Sequence, residues 1–399
     1  MAKFDFSTAR RDPKLGWYEI GGKVFWDKTT ALIEGSRLNL GYKDLHWNFN
    51  DQQFSQFDWT VEPSGDLRSF YHARARDLRE KYDYLLLHFS GGSDSTTVLN
   101  AFLDQGLFID EVMYHYAGKA TSKFSPTKSV THAHNEFSEY EFAAKPALKH
   151  LSTVSPRTKI TIHDFTDDVV NPGWDENFIY WTGDYLTPNC IVRYNTLTQA
   201  DQLRELDKGK KVGVIFGIDK PKIIAENGQA YLIFADRTVH TVMPALVSDQ
   251  RDNFEIELFY WSPDAVPMII KQAHVMKNWF EHPMNRAFRF MLDIGWQRAF
   301  HNRTTYEAIT RPVIYPDYDL STFQCAKPSR AVYQEWDFWM KDHVGTDAFR
   351  TFMQGLMYVK NNVHDDFMKL QDLPGANNSP VHWEYKSCPS KKYLLGALK

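Results

Sequence analysis

The stretch LLLHFSGGSDSTTVLNAF, residues 85–102, constrains this chain more than any other. Asp83 to Phe89 is a near-continuous apolar run, which reads as a strand buried on both faces. Ser90, Gly91, Gly92, Ser93, Asp94 and Ser95 then put six small or polar residues in a row, and a helix is predicted from Asp94 to Gln105. A strand that only turns a corner needs one glycine. With no Cβ at Gly91 or Gly92, both N–H groups are free to point inward, and the helix start adds its positive dipole end. Ser90 and Ser95 can donate hydroxyl hydrogen bonds. The composition suits a backbone wrapped around an anion. Asp94 would repel a phosphate there unless a divalent cation lay between them.

Two familiar phosphate loops are excluded. The segment lacks the lysine and spacing of G-x-x-x-x-G-K-[ST], and it lacks G-x-G-x-x-G, so no dinucleotide fold is indicated. The flanking pattern supplies the fold class. A helix is predicted over 67–82, a second strand from Ile109 to Tyr116, a third from Lys159 to His163 and a fourth over 211–218. Ser138-x-x-Glu141 reads as a capping box for a helix towards Leu151, kinked by Pro146, and Thr187-Pro188 as the start of a helix through Leu206. The whole reads as an α/β protein with a parallel, helix-flanked sheet.

Outside this core, WYEIGGKVFW (17–26) predicts a hairpin, as does KIIAENGQAYLIF (222–234) around Asn227-Gly228. NFEIELFYW (253–261) is strand-like, and the pattern beyond Pro263 is helical, including NRAFRFMLDIGW and a stretch from Ser329 towards Val363. The expected layout is a β-rich N-terminal extension over 1–64, the loop domain over 65–240 and a mainly helical domain over 241–399 that covers the acceptor site.

Composition narrows the class. At 399 residues and 43% hydrophobic the chain can bury two or three domains' worth of core. A net charge of −4 gives no global nucleic-acid footprint and leaves only a local basic groove. Three separated cysteines, with no C-x-x-C, argue against a disulfide framework or a cysteine-rich zinc site. No window approaches 18 apolar residues and the start has no apolar signal region, so no membrane partner and a cytoplasmic location are expected.

The motif 90-SGGSDS-95 after a buried strand resembles the PP-loop of the N-type ATP pyrophosphatases, the adenine nucleotide alpha hydrolase-like branch of the HUP fold. The resemblance implies ATP and Mg²⁺, cleavage between the α and β phosphates, and adenylation of a carboxylate or carbonyl oxygen on an acceptor. An amine or ammonia then attacks, and AMP and pyrophosphate leave. It implies that Phe89 to Ser95 hold pyrophosphate and that Asp94 and Asp219 hold the metal. Gly217 would approach the α-phosphate, and Lys220 or Lys222 would support the transition state. By position, Tyr114 and His115 would meet adenine and ribose. Arg193, in a helix opening at Cys190, would meet substrate or pyrophosphate. RARDLREKYDYLLLHFSGGSDS and YWSPDAVPMIIKQAH also resemble asparagine-synthase-like proteins of large tailed phages, which assigns no substrate.

The chain departs from better-known members of that superfamily. No cysteine precedes Cys190 and only 89 residues precede the loop, so no N-terminal cysteine glutaminase is expected and the donor would be free ammonia or an amine. A sulfonucleotide-reductase-like enzyme is the first alternative, although Cys388 in KSCPSKK lacks the glutamate-cysteine-glycine context. A non-catalytic module that binds a nucleotide or nucleic acid is the second. His132 and His134 with Glu136 have metal-ligand residue types but no nameable third partner, and a substrate-facing loop is the preferred reading. Lys271, His274 and Lys277 read as a solvated helix face. Arg286 and Arg289 beside Phe288 and Phe290 read as core aromatics with exposed arginines.

Overall fold

A computed structural model of the chain describes residues 12–123, 125–126, 128, 135–167, 200–218, 220–236, 239, 251–297, 300–323, 342–343, 345–370 and 383–399. The predicted first hairpin is present: β1 (Trp17–Ile20) pairs antiparallel with β2 (Lys23–Phe25), with Ile20 opposite Lys23. Gly21 and Gly22 both take positive φ, 57° and 72°, as the tight turn demands. Helix α1 (Lys28–Arg37) follows, capped by the Asp27 carboxylate, which accepts from the Thr30 N–H at 2.7 Å. Strand β3 (His46–Asn48) closes the small sheet on the other side of β1. Helix α2 (Leu67–Lys81) buries Leu67, Tyr71, Arg74, Ala75 and Leu78, a single stripe at helical spacing.

Strand β4 (Tyr84–His88) then enters the centre of the molecule, and Leu85, Leu86 and Leu87 are wholly buried. It is followed by α3 (Ser93–Leu103), β5 (Glu111–Tyr116), α4 (Lys145–Val154), β6 (Lys159–Asp164), α5 (Ala200–Asp207) and β7 (Val212–Phe216). After the antiparallel hairpin of β8 (Lys222–Glu226) and β9 (Gln229–Ile233) comes β10 (Phe254–Leu258). The main sheet is entirely parallel, in the order β10-β7-β4-β5-β6. The protein is therefore α/β with a helix-flanked parallel sheet, as expected.

Two local readings need correction. The segment read as strand-like beyond the loop domain is the fifth strand of this sheet, so the sheet runs past residue 240. Its alternating Glu255 and Glu257 resemble a solvated edge, yet Lys81 and Arg74 neutralise them, at 2.8 Å from Glu255 and 2.6 Å from Glu257. Ser138 is not a helix cap either. It is wholly buried within a short helix over Asn135–Glu139 that widens into a π turn at Tyr140–Ala144 before α4 begins. Pro146 sits in the first turn of α4; it has no N–H to donate backward, and the π turn lies just before it.

The longer helices beyond the sheet are α6 (Val266–Glu281), α7 (Phe300–Ile314) and α8 (Asp347–Asn362). Pro283–Leu292, read as part of a helical pattern, is a 3₁₀ helix. Strands β11 (Met368–Leu370) and β12 (Trp383–Tyr385) pair with each other, and β13 (Tyr393–Ala397) adds to β9 to make a three-stranded sheet. No helix among the described residues is long and apolar enough to cross a membrane.

Candidate functional site

The strand order runs outward in both directions from β4 and β7, so connections leaving their carboxyl ends diverge and open a crevice between them. Open α/β sheets bind ligands at such a switch point. The SGGSDS segment leaves β4 there and Gly217-Ile218 leaves β7. Buried Phe89 continues the ladder, its N–H donating to the Met113 carbonyl at 2.8 Å. Gly91 has φ of 71°, and a Cβ on it would lie 2.7 Å from the Ala144 nitrogen. Only glycine fits that position.

Gly92 caps α3 in an extended conformation, and its N–H donates to Ser90 Oγ at 3.3 Å. The Ser90 N–H donates to Ser95 Oγ at 3.2 Å, and the Ser95 hydroxyl donates to the Gly92 carbonyl at 3.3 Å. The two serines thus brace the turn from within. The first-turn N–H groups of Ser93, Asp94 and Ser95 have no acceptor inside the helix, which leaves a positive end facing the crevice. Gly217 serves the same assembly. A Cβ on it would lie 3.1 Å from the Ser95 Cα, so its absence lets the end of β7 approach the start of α3.

Asp94 is the charged centre of the site. Its Oδ1 accepts from the Tyr315 hydroxyl and lies 3.7 Å from Lys220 Nζ, while the side chain keeps 28% exposure. Lys220 itself is buried. The Tyr260 hydroxyl donates to the Asp94 backbone carbonyl at 2.8 Å. Burial first, then the Asp94 charge, pushes the Tyr315 phenol well above its ordinary range, so it stays a donor. Arg311 lies one helical turn before Tyr315, its backbone carbonyl accepting from the Tyr315 N–H at 3.0 Å. Tyr260, Arg311 and Tyr315 carry no recognisable signal in the sequence, because Tyr315 lies 221 positions from its partner.

The other predicted residues are placed less compactly. Tyr114 is buried, its ring 5.5 Å from that of Tyr140, whereas His115 points to the opposite face of the sheet. His115 stacks on His88 at 5.1 Å, and its Nδ1 is 3.1 Å from His163 Nδ1. Lys222 begins β8 opposite Ile233. Asp219, Arg193, Cys190, Cys325, His132 and His134 lie outside the described residues. Among the described residues no three His, Cys, Asp or Glu side chains gather as a metal site.

Three further expectations resolve clearly. The Lys271, His274 and Lys277 face is covered rather than solvated: His274 Nε2 is 2.9 Å from the Trp59 carbonyl, Lys271 pairs with Glu62 at 2.6 Å, and Lys277 is buried. Phe288 and Phe290 are exposed rather than core. Cys388 is buried, with its N–H on Asp236 at 2.9 Å. A cavity of about 570 Å³ near the amino ends of β4 and β10 is lined by Lys14, Lys81, Glu255 and Asp264, which pair with one another. It is remote from the loop.

Comparison of the chain with models of known protein families finds no match, and no curated protein matches it.

Proposed function

We propose that this protein is an ATP-dependent, AMP-forming ligase of the PP-loop type. The observation that carries the reading is the SGGSDS turn, set at the switch point of a parallel sheet with Gly91 locked at positive φ and a helix start behind it. In this reading the turn binds the β and γ phosphates through backbone N–H groups and serine hydroxyls. An acceptor carboxylate or carbonyl oxygen attacks the α-phosphorus, and pyrophosphate leaves into the turn. Ammonia or an amine then displaces AMP from the acyl adenylate, forming an amide or amidine.

Lys220 is placed to offset negative charge gathering beside the turn, since it reaches Asp94 from the β7 side while buried. The Asp94 carboxylate fits a magnesium role: among the described residues its hydrogen bond from Tyr315 and its ion pair with Lys220 both fall on Oδ1, on a side chain that keeps a partly open side for a cation. One carboxylate plus phosphate oxygens and water is an ordinary magnesium environment. Bound there, Mg²⁺ would neutralise phosphate charge. The reductase alternative is weakened by Cys388, which the fold uses as a buried structural residue.

The test is pyrophosphate release from Mg·ATP by the purified chain, with a panel of carboxylic acids and free ammonia. Acceptor-dependent release of AMP and pyrophosphate in equal amounts is expected. Nucleotide binding without α–β cleavage for every acceptor would move the protein to the non-catalytic binding class.

A further inference from the structure

The carboxyl end of α7 is fastened to the loop region at several points. The Tyr71 hydroxyl donates to the Ile314 carbonyl at 2.8 Å, and the Tyr315 hydroxyl donates to Asp94. Asn100, on α3, donates to Asp317 at 3.1 Å, and Arg68, on α2, donates to the same carboxylate at 2.5 Å. Arg311 and Tyr315 stand four residues apart, so they share one helix face. The Tyr315 N–H donates to the Arg311 carbonyl at 3.0 Å, which keeps that turn helical past Pro312.

The Arg311 side chain is 16% exposed, and its nearest paired carboxylate is Glu307, 3.8 Å from Nη2. Its Nε–H is buried and, among the described residues, has no hydrogen-bond partner. Buried guanidinium donors are normally met by an acceptor, so an unmet one on the helix face that carries Tyr315 to Asp94 marks a place where an acceptor arrives. Burial lowers the proton affinity of this group, and the Asp94 and Glu307 charges outweigh it, so the net shift is upward. The geometric link to the loop is Tyr315, one turn further on, whose hydroxyl donates to Asp94. Lys220 approaches Asp94 from the end of β7, whereas Arg311 belongs to α7.

We propose that Arg311 is the residue with which α7 grips the anion held in the SGGSDS turn, namely the β and γ phosphates of a nucleoside triphosphate and the pyrophosphate they become. This rests on the reading of the turn as a pyrophosphate site. A planar fork of donors suits two phosphate oxygens at once, which an ammonium cannot match. The nucleotide site is then completed by a segment more than 200 positions downstream of the turn.

The experiment is equilibrium binding of inorganic pyrophosphate, Mg·ATP and adenosine to the full chain, to Arg311→Gln and to Arg311→Lys. Loss of a charged hydrogen bond predicts a drop of about 10- to 100-fold for pyrophosphate and ATP in Arg311→Gln, with adenosine unchanged. Arg311→Lys keeps the charge and the fold but loses the fork, and its pyrophosphate affinity falls as well. Undiminished pyrophosphate binding in both variants, beside tight binding by the parent, overturns the role of Arg311 and leaves the ligase reading standing. A parent chain that binds neither pyrophosphate nor ATP sinks both. If Arg311→Gln does not fold, Arg311→Lys decides alone.

Discussion

Asp94 holds three relationships at once: to Tyr315, to Lys220, and in the proposed reaction to a cation. Asparagine keeps the shape and still accepts from Tyr315. It removes the charge that faces Lys220 and magnesium. Asp94→Asn is therefore expected to slow pyrophosphate release by about 100- to 1,000-fold in a chain that still folds, because a preorganised electrostatic group is lost without a packing change. Normal turnover by that variant would remove Asp94 from the chemistry. Gly91 makes the contrasting case. At φ of 71°, alanine costs roughly 1–2 kcal/mol in backbone strain alone. Its Cβ would also press on the Ala144 backbone at 2.7–2.8 Å. Gly91→Ala should lower both the denaturant midpoint and nucleotide affinity, measured by urea titration and by binding. Equal stability of variant and parent would show that the turn relaxes.

At the scale of elements, the carboxyl ends of β4, β5 and β6 carry His88, His115 and His163 on one face, with Phe216 of β7 stacked on His88 at 4.4 Å. Burial pushes His88 down to about 3 and, with help from His88 and His163, holds His115 well below the usual imidazole range. Both rings are neutral in the folded chain while their unfolded counterparts titrate near ~6.5. The unfolded state therefore binds more protons below that pH, and stability present above ~6.5 is lost as pH falls towards the folded values. The urea midpoint should decline between about pH 6.5 and 5, before carboxylates in the unfolded chain titrate. His88→Phe, which retains the stack on Phe216, should flatten that limb. An unchanged slope in His88→Phe would mean that His88 does not produce it.

β4 and β7 were legible because each is a dense apolar run. β10 was not legible as a member of the sheet, since partners supplied by α2 hide the purpose of Glu255 and Glu257. The SGGSDS turn announces itself within six residues, whereas the α7 segment that meets it through Tyr315 announces nothing. The partnership of Tyr315 with Asp94 exists only after folding. His274 and Lys277 misled for the same reason, because what covers that helix face includes the segment around Trp59.

Three segments far apart in the chain are tied together at Asp236, just past β9. Its carboxylate accepts from Tyr18 of β1 at 2.8 Å, lies 2.7 Å from Lys28 Nζ of α1, and accepts from Ser387 Oγ and the Cys388 N–H at 3.0 and 2.9 Å. Lys28 in turn donates to the Lys386 carbonyl at 2.7 Å. Both charged side chains have 0% exposure. The N-terminal sheet, the β8–β9 hairpin and the C-terminal strand segment therefore meet at one buried ion pair. A fragment that kept only residues 65–240 would bury or expose Asp236 without those donors. Desolvating two charges is costly, so the pair is worth little against a well-packed apolar substitute, but breaking it on one side strands a charge. Lys28→Met should cost about 3–5 kcal/mol, and Asp236→Leu alone should also destabilise by leaving Lys28 unmatched. The double variant should recover a substantial part of the loss, giving a coupling energy beyond ~1 kcal/mol in a urea-unfolding cycle. Additive single effects, each below about 1 kcal/mol, would show that the three segments are held by their apolar contacts and that Asp236 merely sits where they meet.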